Sequence, residues 1–350
     1  MNSPCISVIV TNYNYGKFLE RCILSILNQD YENIELIICD NGSTDESMAI
    51  INKYLIRDPS RITVLRHHHN IGSAANFVSG YQIHRGDYYI NMGADDYLDR
   101  KYLKKAIDLF EKYPTVSQIV SHAESIDDEG KISQRAPFFD GSYLIPGSLY
   151  APILMVAGIT SHTSQMILCS ARDRSICANP ECITSTKLGE RTTSMMHAIK
   201  HDVIYLNSAN VTCRDSNNNE TAKLNQDISQ IIEQYIVINE YSSYAKRHDL
   251  KMIYERKDEA IAKLADLCLR YSAEFLRLGK TDIAGKYLGL QLLLEGSFDK
   301  LLIKPDLKIN KEFNLKLLSN ITKSQEISGN EFNVRRHSYS PPENSIKLYV

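Results

Sequence analysis

Two short, nearly unbroken apolar runs open the chain, Cys5–Thr11 (CISVIVT) and Ile34–Cys39 (IELIIC). Both are rich in β-branched residues, as expected of strands buried on both faces of a sheet. Between them Phe18, Cys22, Ile23, Ile26 and Leu27 recur at helical spacing, and a helix is the usual crossover between parallel strands. The pattern therefore predicts a βαβ unit. It then repeats: helices around Glu46–Leu55, Ala74–Tyr81 and Lys101–Lys112 alternate with strands at Ile62–Arg66, Asp87–Asn91 and Gln118–His122. Alternation of this kind specifies an α/β fold with a doubly wound, mostly parallel sheet.

From about residue 130 to 180 the periodicity weakens among Pro137, Pro146, Pro152 and several glycines, which predicts irregular structure with a strand near Met166–Cys169. After Asn225 the character changes. Ile228–Tyr244 and Glu255–Leu294 carry long apolar stripes of 3.6-residue period, and Leu278-Gly279-Lys280 sits at the bend of a helical hairpin. The last stretch, about Ser319 to Val350, is polar and holds Pro341–Pro342, the pattern of a flexible tail or extended arm. The expected organisation is an α/β domain over 1–220, a helical C-terminal region over 221–318 and a polar tail over 319–350.

Composition narrows the partners. An apolar fraction of 43% and a charged fraction of 23% support a packed core. Forty basic against forty-two acidic residues give a net charge of −2, too weak a field for a nucleic-acid partner. The eight cysteines are scattered and several lie inside apolar runs, which reads as buried thiols in a reducing compartment. Cys177 and Cys182 lack a second Cys/His pair at metal-ligand spacing. The opening MNSPCISVIV has no signal-peptide pattern, and no apolar run reaches the roughly 18–20 residues that span a bilayer. These features give the expectation of a cytoplasmic protein whose membrane contact is at most peripheral, at the inner membrane face.

In doubly wound sheets ligands bind outside the carboxyl ends of the strands, and those positions are unusually polar here. The first strand leads into Thr11-Asn12-Tyr13-Asn14, the second into Asp40-Asn41-Gly42-Ser43-Thr44-Asp45, and the fourth into Gly93-Ala94-Asp95-Asp96. Asp40 has two readings, a contact to a base or ribose and a plain turn or helix cap. Asp95 and Asp96 likewise read either as a solvated turn, with Asp96 capping the following helix, or as an anion pair relieved by a cation. Hard oxygen donors suit Mg²⁺ or Mn²⁺ bridging a diphosphate. His67-His68-His69 cannot all ligate one ion, because neighbours on a strand point to opposite faces.

The segment SVIVTNYNYGKFLERCILSILNQDYENIELIICDNGSTDES resembles the opening of glycosyltransferase family 2. The likeness continues through Asn70-Ile71-Gly72-Ser73-Ala74-Ala75-Asn76 and through Gly86-Asp87-Tyr88-Tyr89 into the carboxylate pair, with weaker similarity to about residue 215. The resemblance implies a GT-A fold and an inverting transfer from a nucleotide diphosphate sugar, a UDP-sugar in first place, of the bacterial surface-glycan type. It places Thr11, Asn14, Asn70 and Asn76 at the nucleotide-sugar pocket and Asp40 on the base. It further places Asp95 on ribose and metal, Asp96 on the metal, with Mn²⁺ or Mg²⁺ as cofactor. One departure stands out: Gly93 occupies the position where the family usually has the first acid of the cluster.

By the same likeness the acid-led helix before Asp202-Val203-Ile204-Tyr205-Leu206 puts the catalytic base on Glu190, where the family usually has Asp. The bland alternative is a first-turn Glu favoured by the helix dipole. Arg214 matches the Arg of the closing motif, where it would face the diphosphate, while Asp215-Ser216-Asn217 replace the His that often follows. The implied enzyme is a hexosyl- or N-acetylhexosaminyltransferase acting on a glycan, lipid-linked or protein acceptor in polysaccharide synthesis. Its C-terminal helices would serve dimerisation or docking. The rival class is a non-catalytic nucleotide-sugar-binding or scaffold protein. An NAD-dependent oxidoreductase is disfavoured, because the first turn lacks Gly-x-Gly-x-x-Gly.

Overall fold

The computed structural model describes residues 3–134, 136–157, 162–179, 181, 189–215, 228–296 and 339–350, with Glu190 described in its backbone alone. Strands are β1 Ile6–Asn12, β2 Ile34–Asp40, β3 Ile62–Arg66, β4 Tyr88–Gly93, β5 Tyr97–Leu98, β6 Val116–Ile126, β7 Ile132–Ser133, β8 Ser142–Ile145, β9 Met166–Cys169, β10 Asp202–Arg214 and β11 Ile346–Leu348. Helices are α1 Gly16–Leu27, α2 Ser47–Arg57, α3 Ser73–Ile83, α4 Tyr102–Lys112, α5 Gly147–Ala157, α6 Ser170–Cys177, α7 Gly189–Lys200, α8 Ser229–Arg247, α9 Lys251–Tyr254, α10 Lys257–Arg277 and α11 Thr281–Leu294.

The sheet runs β11-β8-β10-β6-β9-β4-β1-β2-β3, with β5 against β10 and β7 against β6. Strands β3, β2, β1 and β4 are mutually parallel, in register from Ile6 opposite Ile34 and Tyr88. The two-sided apolar pattern has its physical reason in the layers. Ile6, Val8 and Val10 face α1, α2 and α4, while Ile9, Ile37 and Cys39 face Phe77 and Tyr81 of α3. Burying each such Ile or Val fully contributes about 1.5–3 kcal/mol. Helix α1 presents Leu19, Cys22, Ile23 and Ile26 to this core at the spacing of one helix face. On the other face α3 approaches closely at Gly80, where a Cβ would stand 2.5 Å from Cys39 Sγ and 2.7 Å from Ile9 Cγ2. Any larger residue there would push α3 off the sheet.

Beyond β4 the sheet departs from simple parallel winding. Strand β9 inserts antiparallel between β4 and β6, and β10 then pairs parallel with β6. Strand β10 runs unbroken for 13 residues. Register shifts between Leu206 and Ala209 and between Ala209 and Val211 absorb the polar residues between them.

A second core joins residues on both sides of residue 220. Tyr143, Tyr150, Met195 and Tyr205 pack with Ile231, Tyr241, Leu264 and Tyr287 of the helical region. The hairpin α10–α11 turns at Gly279, whose φ of +72° favours glycine. Residues 319–338 of the expected tail lie outside the described residues. The segment after them is not a flexible end: Ile346–Leu348 pairs antiparallel with β8 and forms the sheet edge. Among the described residues no helix is long and apolar enough to cross a membrane.

Candidate active site

The carboxyl ends of β1, β2 and β4 adjoin, because Thr11 lies opposite both Cys39 and Gly93 in the ladders. Their polar turns therefore share one edge of the sheet. The β2 turn is closed by its own donors. Asp40 is wholly buried; its Oδ1 accepts from Asn12 Nδ2 at 2.8 Å and its Oδ2 from the Ser43 N–H at 3.1 Å. The Ser43 hydroxyl accepts from the Asn14 N–H at 2.9 Å, and Asn14 Oδ1 accepts from the Thr44 N–H at 2.8 Å. Asn14 sits at φ +58°, a left-handed position that Asn tolerates better than most residues. Asp45 accepts from the Gly16 N–H at 2.8 Å and the Ser47 N–H at 3.0 Å, so one carboxylate serves the N-termini of α1 and α2.

The structure gives the protein partners of the other sequence-expected residues. Asp40 is held inward, each of its oxygens accepting one hydrogen bond, from Asn12 of β1 and from the Ser43 N–H of its own turn. Asn76 is likewise buried and donates to the Cys39 carbonyl at 2.9 Å, which latches α3 to the end of β2. Asn70 is exposed, and its Oδ1 accepts from Asn41 Nδ2 and from the Gly72 N–H. Asn41 was not singled out from sequence, yet it ties the β2 turn to the loop before α3, its Oδ1 accepting from the Ile71 N–H at 2.8 Å. Thr11 is half-buried, its hydroxyl 3.5 Å from the Met92 carbonyl.

The β4 tip is built differently. Asp96 is buried, and its acceptors are met from far along the chain: the Arg214 N–H at 2.9 Å, the Ser164 hydroxyl at 2.5 Å and His162 Nδ1 at 3.1 Å. Burial alone would raise its pKa, but His162, Ser164 and Arg214 outweigh burial and hold it below the usual carboxylate range. Asp95 goes the other way. Burial first, and the Asp96 charge second, push it up to about 7. His162, half-exposed, is in turn held well above its ordinary range by Asp96 and Cys213, against the opposing effect of burial. Asp96 does not cap α4, since Asp99 Oδ1 takes the Lys101 N–H there.

The residues fit a divalent cation. A Cβ built on Gly93 would lie 3.0 Å from Asp95 Oδ1 and 3.2 Å from Asp96 Oδ2, so the missing side chain leaves a cradle between two carboxylate oxygens. Hard oxygen donors facing such a gap are the chemistry of Mg²⁺ and Mn²⁺ sites.

Arg214 reaches this tip through its backbone N–H. Its guanidinium stacks over Phe18 at 3.9 Å and donates to the Asp127 carbonyl, so it is engaged within the protein beside the acids and does not project into open solvent. Glu190 lies in the first turn of α7, and its side chain falls outside the described residues. His162, Ser164 and Cys213 escaped sequence reasoning. The available signal was the polar run before MILC: an antiparallel β9 enters the sheet where parallel β4 leaves it, and Ser164 Oγ accepts from the Gly93 N–H at 3.1 Å.

Comparison with known proteins agrees with this architecture. A 41% identical stretch of 108 residues, 31% of this chain and 43% of the relative, matches a glycosyltransferase of Haemophilus influenzae. The chain spans less than half the length of the first curated relatives it matches. Among solved structures, Staphylococcus aureus TarS 1–349 in complex with UDP-GlcNAc superposes with a TM-score of 0.55 at 14% identity, over 83% of this chain and 92% of that one. The mannosyltransferase PcManGT of Pyrobaculum calidifontis, in complex with GDP-Man and Mn²⁺, gives a TM-score of 0.51 at 15% identity over 94% and 89%. These likenesses establish the GT-A fold. Residues 7–171 match the family described as Glycosyl transferase family 2.

Proposed function

We propose that the protein transfers a sugar from a nucleoside diphosphate donor to an acceptor hydroxyl with inversion, in the synthesis of a surface polysaccharide or related glycan. The observation that carries this reading is the Asp95/Asp96 pair around the Gly93 cradle, beside the polar turns of β1 and β2. Asp95 and Asp96 would hold Mn²⁺ or Mg²⁺, which when bound neutralises charge on the departing diphosphate. The solved PcManGT complex with Mn²⁺ supports that assignment, and the TarS complex supports a UDP-sugar as the first donor to test.

In the proposed reaction the acceptor oxygen bonds to the anomeric carbon as the bond from that carbon to the diphosphate oxygen breaks. The hydroxyl proton passes to the Glu190 carboxylate, and the nucleoside diphosphate leaves with the bonding electron pair. Asn14, Ser43 and Asp40 keep the β2 turn in shape for the nucleotide, and Asn70 offers the exposed polar edge.

The test is a panel of nucleotide sugars with Mn²⁺ or Mg²⁺. Asp95→Ala is expected to lower turnover by about a thousandfold, and Glu190→Gln to lower kcat by about a hundredfold or more while sparing donor affinity. Unchanged transfer by Glu190→Gln would remove that residue from the role of base. Tight donor binding by the wild-type protein with no transfer to any acceptor would instead favour a non-catalytic nucleotide-sugar binder.

A further inference from the structure

The inner side of Asp96 carries two donors for which the transfer reaction has no use. Asp96, His162 and Cys213 each offer one ligand atom, and the three atoms lie within 4.8 Å of one another. They come from three separate places in the chain: the β4 tip, the entry to β9 and the end of β10.

The spacing suits an ion. Ligand atoms of a four-coordinate metal bound at roughly 2.0–2.3 Å stand about 3.3–3.8 Å apart. His162 Nδ1 and Asp96 Oδ2 are already 3.1 Å apart, so the set closes with side-chain shifts of about an ångström. The carboxylate is also aimed. Arg214 N–H holds Oδ1 and the Ser164 hydroxyl approaches Oδ2, the kind of support that orients a ligating group and strengthens its site. Cys213 is 6% exposed and His162 keeps 42% of its side chain open, so an ion would enter from the His162 side.

We propose that Asp96, His162 and Cys213 form a mixed oxygen, nitrogen and sulfur site for a borderline ion of the Zn²⁺ or Co²⁺ class. Thiolate and imidazole favour such ions, whereas Mg²⁺ demands an octahedron of oxygens. Asp96 Oδ2 faces both this site and the Gly93 cradle. One oxygen therefore serves two positions, and an ion held by Cys213 competes with a hard ion beside the diphosphate. The competition rests on the donor-site reading above, but the binding site itself does not.

The experiment uses the full-length protein stripped of metal and titrated with Co²⁺ alone, followed by absorption spectroscopy, with no donor present. The expected spectrum has intense visible bands of four-coordinate cobalt and a near-ultraviolet thiolate charge-transfer band. About one equivalent of Zn²⁺ should displace the cobalt, while Mg²⁺ at about a hundredfold excess should not. Cys213→Ser should abolish the charge-transfer band, and His162→Gln should weaken Co²⁺ binding about ten- to a hundredfold while keeping it. Cys22→Ser, a buried thiol 3.6 Å from the Gly93 carbonyl, should leave the band in place. Weak six-coordinate bands without charge transfer, a charge-transfer band surviving in Cys213→Ser, or no cobalt uptake would each overturn the proposal. Transfer with Mn²⁺ but no thiolate-bound cobalt sinks this inference alone. Thiolate-bound cobalt without transfer sinks the donor-site reading alone.

Discussion

The turns after β2 and β4 begin from the same sequence logic, an apolar buried strand running out into acids, and reach opposite electrostatic states. Asp40 finds its partners within 30 residues on adjoining turns, from Asn12 and Ser43. Asp96 takes its partners from residues 68 and 118 positions away, and Asp95 is left with burial and a like charge beside it. The first turn is complete as a piece of protein. The second is completed from outside, by the second half of the chain. A self-satisfied turn makes a rigid wall for a ligand, whereas a buried acid raised by a like charge beside it marks a candidate binding site.

The sharpest way to break the contrast is Asp96→Ala. It leaves the buried Arg214 N–H and Ser164 hydroxyl without their acceptor and removes the counter-charge of His162. A loss of about 3–4 kcal/mol is expected in urea unfolding, together with near-complete loss of transfer. Asp40→Ala deletes the same group from the other turn. The Ser43 N–H loses its acceptor, but Asn12 Nδ2 keeps Ser43 Oγ at 3.1 Å, so the expected cost is about 2 kcal/mol. Transfer should fall through a higher donor KM with kcat largely kept. A collapse of kcat at unchanged KM would show that Asp40 acts on the reaction directly.

The contrast also explains what could be read from the sequence. Strands β1 to β4 lie within one or two residues of their apolar runs, because burial on both faces writes itself into consecutive residues. Helix α5 left no such trace: Tyr150, Ala151, Pro152, Leu154, Met155 and Val156 are all buried, so no polar stripe marks it, and Pro152 argues against a helix. The place of β9 between β4 and β6 is a long-range pairing that local periodicity cannot encode. For the same reason Asp95 and Asp96 were legible as a motif, while His162, Ser164 and Cys213 became neighbours of Asp96 only in the folded sheet. Asp40 was legible as an acid in a turn. Its inward direction was not, because that depends on Asn12 across the β1–β2 ladder.

A smaller effect separates the two acids of the β4 tip. With a folded pKa near 7, against about 3.9 for an unfolded aspartate, Asp95 keeps its proton where the unfolded chain has released it. This group therefore lowers stability progressively as pH rises from about 4 to 7, and the loss is complete above that. In metal-free protein Asp95→Asn should then be stabilising by about 1–2 kcal/mol at pH 8 and neutral at pH 3.5, measured by urea unfolding at both values. An equal effect at the two pH values would mean that packing, not charge, distinguishes the variant.

The smallest change tests the cradle itself. Gly93→Ala adds one methyl group at a point 3.0 Å from Asp95 Oδ1 and 3.2 Å from Asp96 Oδ2, tighter than ordinary contact. Asp95 can yield because no hydrogen bond holds its side chain to another described residue, whereas Asp96 is pinned by Arg214 and Ser164. The methyl should therefore displace Asp95 by a few tenths of an ångström and cost less than about 1 kcal/mol of stability. Its effect should fall instead on the cation, with the Mn²⁺ concentration for half-maximal transfer raised several-fold at nearly constant maximal rate. If stability dropped as far as in Asp96→Ala while the metal requirement stayed the same, the space above Gly93 would be part of the fold's packing, and the contrast between a finished turn and an open one would lose its basis.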